Sequence, residues 1–130
     1  MTRIVGVFTG NRAEYGLQLP ILRAIDVHPD LEYRLIVSGA HLDPDFGQTR
    51  AEIEGDGIAI HAEAEVVLDE SLQYATPHAI GSGVVSVAKI LADLAPSLFV
   101  VYADRFEGFA AVIASTQMNV PTVHIEGGDI

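Results

Sequence analysis

Short, nearly continuous apolar runs alternate with segments of helical spacing, and this alternation restricts the chain more than any other feature. The runs are Ile4 to Phe8, Tyr33 to Val37, Leu98 to Tyr102 and Val120 to Ile125, with a weaker one at Gly57 to His61. A run without polar alternation predicts a strand buried on both faces. Between the runs, Leu17 to Val27 repeats apolar residues at Leu17, Ile21, Leu22 and Ile25. Pro20 fits that helix only if it begins close before the proline. A short helix is expected over Gln48 to Glu54, and longer ones over Ala79 to Leu94 and Phe106 to Gln117. Gly81 and Gly83 weaken the first turns of the third helix, and Pro96 closes it. Strand–helix alternation of this kind predicts right-handed βαβ units and a parallel sheet covered by helices. A signalling receiver domain has the same skeleton, so the skeleton names no function. That alternative needs an acidic pair after the first strand, where this chain has Thr9-Gly10.

At 130 residues the chain is one domain by size. Its hydrophobic content of 49% supports a packed core, and is high enough to hint at a face meant for another domain or subunit. Eighteen acidic residues against seven basic ones give a formal charge of −11. That field repels phosphate backbones and argues against nucleic acid as a partner. It leaves room for a small phosphorylated ligand held by local donors. No cysteine occurs, which excludes disulfides and thiolate metal sites. The N-terminus runs straight into a strand without a signal-peptide layout, and no apolar run approaches about 20 residues. The expectation is a cytoplasmic protein.

Four stretches carry chemistry. Thr9 to Gly16 (TGNRAEYG) lies between the first strand and first helix. Gly10 permits a sharp turn, the helix start offers free N–H groups to an anion, and Arg12 offers a bidentate grip on phosphate. The same residues also serve as an ordinary βα turn with a surface arginine. Asp104 follows the fourth strand and is either a carboxylate facing the crevice or the N-cap of the next helix. In the second case Arg105 and Glu107 are solvated helix charges. His124, Glu126 and Asp129 follow the fifth strand. Alternation puts His124 and Glu126 on one side if the strand continues that far, and Gly127-Gly128 lets a ligand or backbone come close. A single histidine at a strand end is more often a satisfied structural residue. Asp104 and Glu126 belong to strand ends expected to be neighbours, where two carboxylates can divide acid and base work. His41, in the Ser38 to Gly47 loop, faces the same crevice or sits in a solvated loop with Asx turns. His28, His61 and His78 suggest no metal, and no metal-ligand spacing appears.

Taken together, Thr9 to Gly16, Gly39-Ala-His-Leu42 with Phe46-Gly47 and Asp56-Gly57, Asp104-Arg-Phe-Glu107 and His124-Ile-Glu-Gly-Gly-Asp129 resemble the hydrolysing UDP-N-acetylglucosamine 2-epimerase family of sialic and related nonulosonic acid synthesis. The motifs stand in family order across the chain. The resemblance implies a Rossmann-like N-terminal domain of a GT-B arrangement, with residues 1–130 as that domain and the UDP-binding C-terminal domain absent. It implies conversion of UDP-N-acetylglucosamine and water to N-acetylmannosamine and UDP by elimination and hydration, with no cofactor. By motif match, Asp104 and Glu126 are the acid/base carboxylates. Arg12 with Gly10 meets phosphate, and His124, Gly127 and, more weakly, His41 line the sugar site. The isolated chain is then expected to turn over little or nothing, its partner being the missing domain or another subunit.

Two departures stand out. Ala103 replaces the family's usual glycine before the aspartate, and Pro96-Ser97 replaces Pro-Asp. Two other functions fit the same residues. One is a non-catalytic nucleotide-sugar-binding module or half of a split enzyme. The other is an epimerase that returns UDP-sugar unhydrolysed. That branch usually carries a lysine soon after the first-loop arginine and Ala-Gly after the glutamate, where this chain has Gly16-Leu17 and Gly127-Gly128.

Overall fold

The structure, a computed structural model, describes residues 1–39, 49–102 and 105–127. Among these residues five strands, β1 (Arg3–Thr9), β2 (Leu31–Val37), β3 (Ile60–Glu63), β4 (Leu98–Val101) and β5 (Thr122–His124), alternate with four helices, α1 (Arg12–Val27), α2 (Thr49–Gly55), α3 (Ala75–Leu94) and α4 (Phe106–Gln117). All strand pairs are parallel, in the order β3-β2-β1-β4-β5. The chain builds outward from β1 through β2 to β3, then crosses back to place β4 on the other side of β1. The sheet therefore changes direction between β1 and β4, and crevices at such a point, outside the strand C-termini, take ligands.

Strand alternation feeds two cores. Phe8, Ile36, Phe99 and Val101 point to one face and pack with Val87 and Leu91 of α3 and Ala111 and Ala114 of α4. Val5, Val7, Leu35, Val37 and Val100 point to the other and pack with Tyr15, Leu22 and Ile25 of α1 and Ile53 of α2. Because both faces are covered, the central strands read as unbroken apolar runs. Phe8 and Phe99 meet edge-on at 6.4 Å between ring centroids.

Several expected boundaries move, each for a local reason. α1 begins at Arg12, so most of the Thr9–Gly16 stretch is helix and Pro20 lies deep inside it. Pro20 is exposed, so its missing hydrogen bond faces solvent. The buried stripe of α1 is Glu14, Tyr15, Gln18, Leu22 and Ile25, whereas Leu17 is exposed. Two polar residues thus take inward positions that apolar spacing assigned elsewhere. α3 starts at Ala75, because Pro77 falls in its first turn, where an N–H is not needed. Gly83 is no weak point: a Cβ there would stand 3.0 Å from Val66 Cγ2 and 3.1 Å from Ala110 Cβ, so glycine lets α3 lie close against α4. β3 begins at Ile60 rather than Gly57, and β5 ends at His124.

Candidate functional site

The end of β1 is built from polar groups that satisfy one another. Asn11 is the N-cap of α1 and its side chain accepts from the Glu14 N–H at 2.9 Å. Glu14 reaches back and accepts from the Gly10 N–H at 2.7 Å. This is a capping box shifted one residue outward, and the Asn-x-x-Glu spacing was its signal in the sequence. Glu14 is only 3% exposed. Gln18, one turn on, donates to the Phe8 carbonyl at 2.7 Å. The Ser38 N–H donates to the Thr9 carbonyl at 3.0 Å and ties the β2 loop to the β1 loop. Gly39 follows in the left-handed region, φ +60°, beside the Gly10 carbonyl, where a side chain has no room.

Tyr15 anchors the same end from the α1 side. Its hydroxyl donates to Asp56 at 2.7 Å. Burial, reinforced by that carboxylate, pushes the phenol far above its ordinary pKa. Arg12, the candidate phosphate grip, is 75% exposed and paired with Glu52 of α2 at 3.1 Å. An exposed pair of this kind is worth at most about 1 kcal/mol, so an anion can compete for the arginine.

Across the crevice, β4 and β5 end in register, Val101 opposite His124. The strand stops there, so alternation does not carry on to Glu126 and the expected shared side for His124 and Glu126 is not how they are related. Residues 124–127 instead form a turn closed by the Gly127 N–H to the His124 carbonyl at 3.3 Å. Glu126 sits in the left-handed region at φ +61°. For a residue with a side chain this costs on the order of 1 kcal/mol, and such strain collects at functional positions. The turn presents the Glu126 carboxylate to solvent, where it accepts from the Tyr102 hydroxyl at 2.7 Å. Tyr102 follows β4, so this hydrogen bond joins the two strand ends directly. At Gly127 the His124 imidazole takes the place a side chain would fill, with Cγ 2.7 Å from an ideal Cβ.

Glu107 departs most from expectation. Read as a solvated helix charge, it is in fact 2% exposed. Its Oε1 lies 3.4 Å from the Arg105 guanidinium, which is half-exposed and also sits over the Phe106 ring at 5.7 Å. The N-cap of α4 is Arg105, whose side chain makes no capping bond. Asp104, His41, Gly128 and Asp129 lie outside the described residues. Of the other histidines, His28 accepts from the Asp30 N–H at the end of α1, and His78 meets Tyr74 edge-on. Among the described residues no group of three or more His, Asp or Glu is placed to hold a metal ion. No helix among them is long and apolar enough to cross a membrane.

The family model for UDP-N-acetylglucosamine 2-epimerase matches residues 23–130. A UDP-N,N'-diacetylbacillosamine 2-epimerase (hydrolyzing) of Legionella pneumophila is 32% identical over 129 residues, which is 99% of this chain and 34% of that protein. A UDP-N-acetylglucosamine 2-epimerase of Neisseria meningitidis serogroup B is 28% identical over 131 residues, 100% of this chain and 33% of that protein. The chain thus spans about a third of the length of these relatives. Among solved structures, UDP-GlcNAc 2-epimerase from Neisseria meningitidis bound to UDP-GlcNAc superposes with a TM-score of 0.77 at 19% identity, covering 96% of this chain and 32% of that one. The Methanocaldococcus jannaschii enzyme in complex with UDP-GlcNAc and UDP superposes with a TM-score of 0.77 at 17% identity, covering 96% and 33%. These likenesses establish the fold, a Rossmann-like sheet resembling the N-terminal domain of a GT-B arrangement.

Proposed function

Because the chain belongs to the UDP-N-acetylglucosamine 2-epimerase family, we propose that it is the N-terminal part of a hydrolysing enzyme that converts a UDP-2-acetamido sugar and water to the free 2-epimer and UDP. In this reading the C1–O bond to UDP breaks and the C2 proton leaves, giving a glycal. Water then adds at C1, and C2 is reprotonated from the opposite face. Glu126 and Asp104 are the acid/base pair contributed by this domain. Arg12 and the Gly10 turn meet the diphosphate, and His124 with Gly127 and His41 borders the sugar. The observation that carries the reading is the joined end of β4 and β5. There a strained turn puts one carboxylate in solvent at the rim of the crevice, with a phenol holding it in place. A positioned proton-transfer group of this kind contributes roughly 10²–10⁴ in rate.

Half a cleft excludes water from only one side of a substrate. The 130-residue chain alone is therefore expected to release little N-acetylmannosamine or UDP. Residues 1–130 joined to the remainder of the Legionella relative are expected to release both from UDP-N-acetylglucosamine, or the corresponding pair from UDP-N,N'-diacetylbacillosamine. Accumulation of UDP-N-acetylmannosamine with its diphosphate intact would assign the chain to the non-hydrolysing branch. Binding of UDP-sugar with no product of either kind would leave a binding module.

A further inference from the structure

The bond between Tyr102 and Glu126 stands where the backbone stops joining the two strand ends. The last rung beside it is the Ile125 N–H donating to the Val101 carbonyl at 2.9 Å. Past that rung, the Gly127 N–H reaches the His124 carbonyl only at 3.3 Å, long for an amide donor. The phenol bond is much shorter, 2.7 Å from Tyr102 Oη to Glu126 Oε2. That is the length of a hydroxyl donating to a charged oxygen, a bond roughly twice as strong as a neutral one. An exposed glutamate has no reason of its own to keep one rotamer, because its side chain turns about several bonds and ordering it costs entropy. The left-handed backbone of Glu126, φ +61°, sets where Cβ points and no more. The carboxylate needs a second restraint farther out. Tyr102 supplies it from the neighbouring strand end, 24 positions away in sequence.

We infer that Tyr102 is a positioning residue, whose hydroxyl holds the Glu126 carboxylate by Oε2 and so presents Oε1 for proton transfer. The consequence for turnover rests on the acid/base role proposed above for Glu126. The restraint on the side chain does not. Phenylalanine at 102 keeps the ring and removes only the donor, so Tyr102→Phe isolates the hydroxyl.

Scalar couplings in the 130-residue chain read the Glu126 side-chain rotamers, and amide exchange at Ile125 and Val100 reads the strands. The parent should hold one rotamer and Tyr102→Phe should average several, with both amides within twofold of the parent. Averaged couplings in the parent, or couplings that Tyr102→Phe leaves unchanged, would overturn the inference. So would faster exchange at both amides, which marks a residue needed only for stability. In residues 1–130 joined to the remainder of the Legionella relative, Tyr102→Phe should lower kcat roughly 10–10²-fold, with KM within twofold. Made on top of Glu126→Gln, the same change should move kcat less than twofold, because no proton-transfer group is left to position. Equal losses in the two backgrounds mean that the phenol acts apart from Glu126 and overturn the inference. A raised KM with kcat unchanged does so as well, since it marks a substrate contact. A joined parent that makes no product contradicts the proposed function and leaves the couplings to decide whether Tyr102 holds the carboxylate.

Discussion

Two carboxylates near the same crevice are treated in opposite ways. Glu14 is buried, accepts the Gly10 N–H and stands on the first turn of a capped helix. Glu126 is exposed, sits on a backbone of the wrong hand for its side chain, and is steadied by a phenol from the neighbouring strand end. The first acid spends its acceptor capacity on the backbone and gains a rigid loop. The second keeps capacity in hand at a cost in local strain. A fold that puts its acids to both uses separates scaffold from chemistry within a few residues of each strand end.

The largest effect should come from the exposed acid. In residues 1–130 joined to the remainder of the Legionella relative, Glu126→Gln should lower product release by roughly 10²–10⁴ while leaving thermal unfolding unchanged. If it instead lowered the unfolding temperature and spared turnover, the contrast would be reversed. Glu14→Ala should do the opposite in the 130-residue chain. Leaving the buried Gly10 N–H without its acceptor costs about 1–3 kcal/mol, readable from urea unfolding.

The Tyr15–Asp56 contact gives a pH signature on the scaffold side. An unfolded tyrosine loses its proton near pH 10, and the folded one does so only at a higher pH. The stability it contributes is therefore complete below about pH 10 and declines above it, as the unfolded chain is increasingly stabilised by ionisation. Urea titrations of the parent and Tyr15→Phe should converge as pH rises past that point. The smallest effect tests the strain. Glu126→Gly should stabilise the fold by about 0.5–1 kcal/mol, because glycine accepts a left-handed backbone freely and loses only part of that gain to chain entropy. A destabilised glycine variant would mean that the turn carries no strain.

The same contrast explains what could be read from residues alone. The sheet was legible because its central strands are covered on both faces and so lack polar alternation. The carboxylate at Glu126 was legible because glycines and a histidine surround it just past an apolar run. Its orientation was not, since a turn with a left-handed glutamate leaves no periodic mark. Glu107 escaped because a charge three residues into a motif reads as solvated, whereas in the fold Gly10 and Gly39, far from it in sequence, lie against it. Tyr102 escaped for a similar reason: its partner lies in the turn after another strand. Tertiary contacts made by polar residues are the part of this molecule that spacing does not encode.

The position of β1 at the middle of the sheet carries a cost in time. Its second neighbour, β4, begins at Leu98, after β2, β3 and three helices. At synthesis rates of roughly 5–20 residues per second, the inner edge of the first strand waits about 5–20 s on the ribosome before its mate exists. Through that interval Val5, Val7 and Phe8 have only one side of the sheet to protect them. Their safety rests on how fast α1 and β2 fold back, and slowing that crossover should show first as lost yield rather than lost stability.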